Sequence, residues 1–172
     1  MLFAIIYIAA TLAANYTATW FIFFPFFGQV SIATFIFGIT FTARDRVHQK
    51  LGRNNVYKMI GIAALLNLIV TIAGGVEWRI VAASLIAIIL AETADTEIYQ
   101  HFISNTWGMR VLKSNSVSIP LDSLLFNLIA FAGLFSNVEV ASIIFGEIVF
   151  KGLVSAVLAV RPLEYFRSRS NS

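Results

Sequence analysis

The sequence predicts an all-α integral membrane protein: a six-transmembrane-helix bundle with both termini on the cytoplasmic side. Three observations lead there. Of 172 residues, 59% are hydrophobic and only 12% charged, with a mean hydropathy of +0.84, whereas a soluble domain carries about 25% charged residues. Apolar stretches recur at the length needed to cross a bilayer, about 20 residues each. The basic residues gather in alternate connections between those stretches, as cytoplasmic loops require.

Leu2 to Ala43 carries no charge, enough for two spans. Pro25, Gly28 and Gln29 interrupt it where a turn is expected. The first span is then Leu2–Phe24 and the second Val30–Ala43, with Phe26 and Phe27 available to lengthen it. Arg44 to Arg53 reads as a charged loop. The third span is Val56–Ala73, followed by a tight turn at Gly74-Gly75-Val76-Glu77. The fourth is Ile80–Tyr99, and a polar loop runs from Ser104 to Ser118. Pro120 is expected to open the fifth span, where its missing N–H costs little, and that span ends near Phe135. The sixth runs from Val140 to Val160 and stops at Pro162. One domain over residues 1–166 and a basic, serine-containing cytoplasmic tail over 167–172 account for the chain.

Orientation follows from the cations. Arg44, Arg46, Lys50, Arg53, Lys58, Arg110, Lys113, Arg161, Arg167 and Arg169 fall on one side, ten of the twelve Lys and Arg. Arg79 is opposite, and Lys151 lies within a span. That bias puts both termini inside. The apolar N-terminus lacks the cationic region of a signal peptide and reads as a retained span. Cysteine is absent, which excludes disulfides and thiolate metal sites. His48 and His101 both lie beside charged loops, so a histidine metal centre is not expected, and neither is any cofactor. The net charge of +3 reflects membrane topology rather than nucleic-acid binding.

Function is expected where polar groups sit at hydrocarbon depth. A charge there costs roughly 2.5–3.5 kcal/mol on insertion scales, so such groups usually face a cavity or a pathway. Glu92, Asp95, Thr96 and Tyr99 follow i, i+3, i+4, i+7 spacing and share a helix face, with Glu97 off it. Acids near a helix C-terminus oppose the helix dipole and call for a compensating reason. Glu147 and Lys151 stand at i, i+4, acid first, the better order for an ion pair. Either they neutralise one another structurally or one meets a substrate. Asn15 is a helix–helix bond or a ligand contact. Asp122 is read as a first-turn acid favoured by the dipole, with ligand binding as the alternative. Asn127 is the better ligand candidate on that span, and Asn67 a helix–helix contact. The candidate substrate-binding set is Asn15, Glu92, Asp95, Asp122, Asn127, Glu147 and Lys151.

Several segments together resemble a known family. They are Ala13-Ala14-Asn15; Arg44-Asp45-Arg46-Val47-His48 with Leu51-Gly52-Arg53; Ala91-Glu92-Thr93-Ala94-Asp95-Thr96-Glu97-Ile98-Tyr99; Arg110-Val111-Leu112-Lys113-Ser114-Asn115; Pro120-Leu121-Asp122-Ser123-Leu124-Leu125-Phe126; Ile129-Ala130-Phe131; Lys151; and Pro162. In this order the chain resembles the VUT family, the vitamin-uptake-type queuosine precursor transporters. The resemblance implies a fold like the substrate-binding subunits of energy-coupling-factor vitamin transporters. It also implies import of 7-cyano-7-deazaguanine or a related 7-deazapurine across a bacterial-type cytoplasmic membrane, and no enzyme activity. Such a base presents adjacent N–H donors that a carboxylate, Glu92 or Asp95, accepts in pairs. Asn15, Asn127 or Lys151 would serve its carbonyl, and Tyr16 or Phe126 would stack on the ring. The alternatives are a binding subunit that needs an energising module, and a non-transport scaffold whose buried charges pair only with one another. A homo-oligomer is a further candidate assembly.

Overall fold

The computed structural model describes residues 2–25 and 28–160. Phe26, Phe27, Pro162, the cations Arg161, Arg167 and Arg169, and the expected tail over 167–172 lie outside the described residues. Within them the chain forms six helices and one hairpin: α1 Leu2–Tyr16, β1 Phe21–Phe24, β2 Gly28–Ser31, α2 Ile32–Leu51, α3 Arg53–Ala73, α4 Trp78–His101, α5 Trp107–Phe131 and α6 Asn137–Val160.

Three expected boundaries move. The first helix ends at Tyr16, and Phe21–Phe24 pairs antiparallel with Gly28–Ser31, Phe21 opposite Ser31 and Phe24 opposite Gly28. The run Thr19-Trp20-Phe21-Ile22-Phe23-Phe24 is aromatic and β-branched, which suits a pleated strand. Gly28 has φ 71°, and a Cβ there would collide with Ser142 of α6, so both conformation and space demand glycine. Ser31 then caps α2, its hydroxyl accepting the Ala33 N–H at 3.2 Å.

The charged stretch after Ala43 is helix, not loop. No Gly or Pro intervenes between Gly38 and Gly52, so nothing stops α2 until Gly52, with φ 79°, turns the chain directly into α3. Arg44, Asp45, Arg46 and His48 are consequently buried rather than solvated. The polar stretch before Pro120 is likewise helical from Trp107, which puts Pro120 well inside α5 instead of at its start. Asp122 therefore has no first-turn role.

Each helix packs chiefly on two neighbours, in the order α1, α2, α6, α5, α4, α3 and back to α1, closing a ring. The hairpin lies on α6. Two apolar clusters pack the ring. One centres on Phe37, Phe41, Ala83, Ala87, Phe126 and Phe131, the other on Tyr7, Val47, Val56, Met59, Ala63 and Ile88. Gly38 lets α2 approach α6 closely, because a Cβ at 38 would overlap the Val154 side chain.

The distribution of polarity is inverted relative to a water-soluble bundle. Glu92, Asp95, Asn67, Asn127, Arg44 and Lys151 are buried, while Ile62, Leu65, Ile69, Ile89, Leu128 and Leu153 are exposed. Exposed apolar surface on this scale marks contact with lipid or another apolar partner. Among the described residues, Arg53–Ala73 and Asn137–Val157 are long and apolar enough to cross a membrane, and α1 is apolar but shorter.

Candidate functional site

Arg44 organises the first polar cluster. It projects from α2 across the ring and is 1% exposed. Its Nη1 donates to Glu92 Oε2 at 2.6 Å, and its Nη2 lies 2.6 Å from Asp95 Oδ2. Glu92 and Asp95 are one helical turn apart on α4, so a single planar guanidinium fork reaches both. The same Nη2 reaches Asp45 Oδ1 at 3.1 Å and donates to Asn115 Oδ1 of α5 at 3.4 Å. Ser118 of α5 donates to Asp95 Oδ1 at 2.5 Å. Four acceptors from three helices thus meet one cation. Thr96 turns away and bonds its hydroxyl back to the Glu92 carbonyl at 2.7 Å, as helical threonines do.

Lys151 organises the second cluster. Its ammonium donates to Glu147 Oε2 at 2.8 Å, Asp122 Oδ2 at 2.9 Å and Ser123 Oγ at 3.1 Å. An ammonium has three donors, and all three are used. The i, i+4 pair expected between Glu147 and Lys151 is formed, with Asp122 of α5 as a further acceptor.

Asn15 belongs to a third group. Its Nδ2 donates to Asn67 Oδ1 at 2.8 Å, and Asn67 Nδ2 donates to Ser84 Oγ at 3.0 Å, tying α1, α3 and α4 together. Asn127 donates only to the Ser123 carbonyl, at 2.8 Å. Among the described residues, the buried polar atoms without a hydrogen-bond partner in the chain include Tyr7 Oη, Thr34 Oγ1, Asn15 Oδ1 and Asn127 Oδ1. Buried polar atoms left without a partner in the chain are costly, and a water or a ligand can satisfy them.

A cavity of about 480 Å³ lies between α5 and α6, walled by Val111, Ile119, Pro120, Ile148 and Gly152. Asn115 and Ser155 supply its polar wall, joined by a 2.5 Å hydrogen bond from Asn115 Nδ2 to Ser155 Oγ. Its lining includes the exposed Leu112, Ser116 and Ala156, so it opens on the outer face of the ring. Asn115 touches Arg44 and so links this cavity to the first cluster.

The structure gathers Glu92 and Asp95 at one centre and Asp122, Glu147 and Lys151 at another, and it keeps Asn15 apart with Asn67. Glu92, Asp95, Asp122 and Glu147 each have a cationic partner, so an incoming ligand must compete with Arg44 or Lys151. Tyr16 is 69% exposed and packs edge-on to Trp20, away from the ring interior, while Phe126 is buried. Glu97, off the acidic face as its spacing predicts, pairs at 2.7 Å with Arg53, both roughly half exposed. The sequence reading missed Arg44, Tyr7, Asn115, Ser118 and Ser155. For Arg44 a signal existed: Phe37, Phe41 and Arg44 continue one helical face through a segment without a breaker.

No curated protein and no solved structure matches the chain. The family model described as "Putative vitamin uptake transporter" matches residues 73–166, which cover α4, α5 and α6, more than half of the chain. That is a family of transporters and not of enzymes. The chain therefore belongs to the vitamin uptake transporter family that the Glu92–Asp95, Pro120–Phe126 and Lys151 segments resemble.

Proposed function

We propose that this chain imports a queuosine precursor, 7-cyano-7-deazaguanine or a related 7-deazapurine, across the cytoplasmic membrane. It does so as a six-span bundle with both termini inside. The observation that carries the reading is the convergence of two ion-paired clusters and several unpaired polar atoms inside a ring whose outer surface is apolar. Ten of the twelve basic residues on one side of the expected topology support the orientation.

Recognition follows from hydrogen-bond chemistry. The base-pairing edge of a deazaguanine carries adjacent N–H donors, and Glu92 or Asp95 accepts them side by side, in place of the Arg44 guanidinium. Asn127, with its carbonyl unpaired, takes a further N–H, and Lys151 serves the ring carbonyl with the donor that otherwise goes to Ser123. Asp122 and Glu147 hold Lys151 in position. The ligand's N–H groups replace the hydrogen bonds that Arg44 gives the carboxylates, while the Arg44 charge stays within the ring.

The test is ligand binding to the purified chain across a purine and deazapurine panel, followed by uptake into vesicles. Selective binding of the deazapurines, lost by at least tenfold in Glu92→Gln or Asp95→Asn variants that reach the membrane, is the expected result. Normal uptake in both variants would overturn the assignment. Uptake by the chain alone separates an autonomous transporter from a binding subunit that requires an energising module.

A further inference from the structure

The hollow between α5 and α6 has the proportions of one leaflet of a bilayer. On α5 it begins at Gly108, in the first turn, and ends at Pro120, the middle of the helix; on α6 it runs from Ile148, the middle, to Ala156, near the end. From Gly108 to Pro120 the helix rises about 18 Å, against about 15 Å for half of a hydrocarbon core. Spread over that length, about 480 Å³ makes a channel roughly 6 Å across. Carbon atoms pack at about 3.5–4.0 Å, so the channel admits a single polymethylene chain, whereas a helix with its side chains is about 10–12 Å across.

The walls suit hydrocarbon. Val111, Ile119, Pro120 and Ile148 present carbon. The polar side chains of the wall bond within the chain: Asn115 Nδ2 donates to Ser155 Oγ at 2.5 Å, Asn115 Oδ1 accepts from Arg44 at 3.4 Å, and the Ser116 hydroxyl donates to the Lys113 carbonyl at 2.8 Å. A guest without polar groups leaves those bonds intact. Two glycines widen the hollow. A Cβ at Gly108 or Gly152 would meet nothing within 4 Å, and neither residue has a positive φ, so the space in front of them is left open to an occupant. The mouth lies among Leu112, Ser116 and Ala156, all exposed, and the exposed Leu153 and Val157 carry the apolar outer surface on along α6.

We propose that this hollow is a binding site for one acyl chain of a phospholipid from the leaflet at the start of α5, the inner leaflet on the topology proposed above. This rests on the six-span reading of the chain and not on the identity of its substrate. The acyl chain enters at Leu112 and Ala156, lies along Gly152 and ends against Pro120 and Ile148 at the middle of the two helices. Its methylenes cover the wall formed by Asn115 and Ser155, and Asn115 in turn touches Arg44. A lipid seated there completes the packing behind the arginine centre.

Photolabelling of the full chain in vesicles tests the assignment. The vesicles are phosphatidylcholine and phosphatidylglycerol, with a small share of phosphatidylcholine that carries a diazirine at mid-chain, and adducts are mapped by peptide mass spectrometry. Residue for residue, adducts on Gly108–Pro120 and Ile148–Ala156 are expected to exceed several-fold those on the exposed Ile62, Leu65 and Ile69 face of α3. Gly152→Phe places a ring in the hollow and should bring its labelling down to the α3 level; Ala156→Leu narrows the mouth and serves if the first variant fails to fold. Ile62→Phe should leave the pattern unchanged. Labelling that is even over all exposed faces, or that persists at full strength in folded Gly152→Phe, overturns the proposal. So does protection by excess 7-cyano-7-deazaguanine, which would put a polar guest in the hollow. A disulfide-linked dimer of Ala156→Cys, in a chain that has no other cysteine, would put a second copy there and overturn it too. Absence of lipid adducts from every exposed helix face overturns the six-span reading as well.

Discussion

Replacing Lys151 with methionine isolates the electrostatics of the ring interior. Methionine keeps most of the stem volume, so packing changes little, and the charge is the main loss. Lys151 is 2% exposed and bridges two carboxylates at 2.8 and 2.9 Å. Removing one partner of a buried ion pair costs about 3–5 kcal/mol, because the other charge stays buried and unpaired. Here two carboxylates are left, so the upper part of that range is expected. In a domain of about 150–250 residues each kcal/mol shifts the melting temperature by roughly 2–4 °C. Lys151→Met should therefore melt on the order of 10–20 °C lower in lipid nanodiscs. The triple variant with Asp122→Asn and Glu147→Gln removes the stranded charges and should recover most of the loss. Arg53→Gln supplies the control, since the Arg53–Glu97 pair is about half exposed and such pairs contribute only about 0–1 kcal/mol. A Lys151→Met variant that melts within about 3 °C of the native chain, or a triple variant that melts lower still, would refute this account of the cluster.

Three further outcomes follow from the geometry. Gly38→Ala should destabilise by about 1–3 kcal/mol through overpacking against Val154, and Val154→Ala in the same chain should restore part of it in thermal melts. Asn67→Ala removes one of the two acceptors of the Asn15 amide and the donor to the Ser84 hydroxyl, so melts should show a loss of about 1–3 kcal/mol. At the start of α6, Ser136 and Glu139 bond reciprocally, the carboxylate accepting from the Ser136 N–H at 2.9 Å and hydroxyl at 2.8 Å. Those bonds hold the Glu139 carboxyl below its ordinary range. A depressed carboxylate stabilises above its unfolded value, about 4.3, and the benefit disappears as pH falls through the folded value. Native and Glu139→Gln chains should thus differ in melting temperature at neutral pH and converge in acid; a difference that persists there would contradict the cap.

Six helices were legible because apolar runs of spanning length are hard to mistake. The third, fourth and sixth helices end within a few residues of where the runs end. The errors share one physical cause. Charge ordinarily signals exposure and so predicts loops from Arg44 and before Pro120, yet no helix breaker lies between Gly38 and Gly52 or between Gly108 and Pro120. The hairpin was missed because Phe21–Phe24 is as apolar as a helix, and only its aromatic content distinguishes it. Within the site, the shared face of Glu92 and Asp95 and the Glu147–Lys151 spacing were legible because helical periodicity is local. Their long-range partners were not. Arg44 meets Glu92 across 48 positions and Asn115 meets Ser155 across 40, and no single-sequence pattern records that closeness. Tyr7, one aromatic in an apolar helix, carried no signal.

Pro120 divides α5 into two arms. Having no N–H, it leaves the Ser116 carbonyl without a helical partner, and both residues line the side cavity. The helix can bend at this joint without breaking a backbone hydrogen bond, and the neighbouring hollow gives it room to do so. Asn115 and Ser118, which hold the arginine centre, belong to the lower arm; Asp122 and Ser123, which hold the lysine centre, belong to the upper. Flexing this one helix would therefore swing the two centres against each other, a mechanical link between the two ends of the bundle.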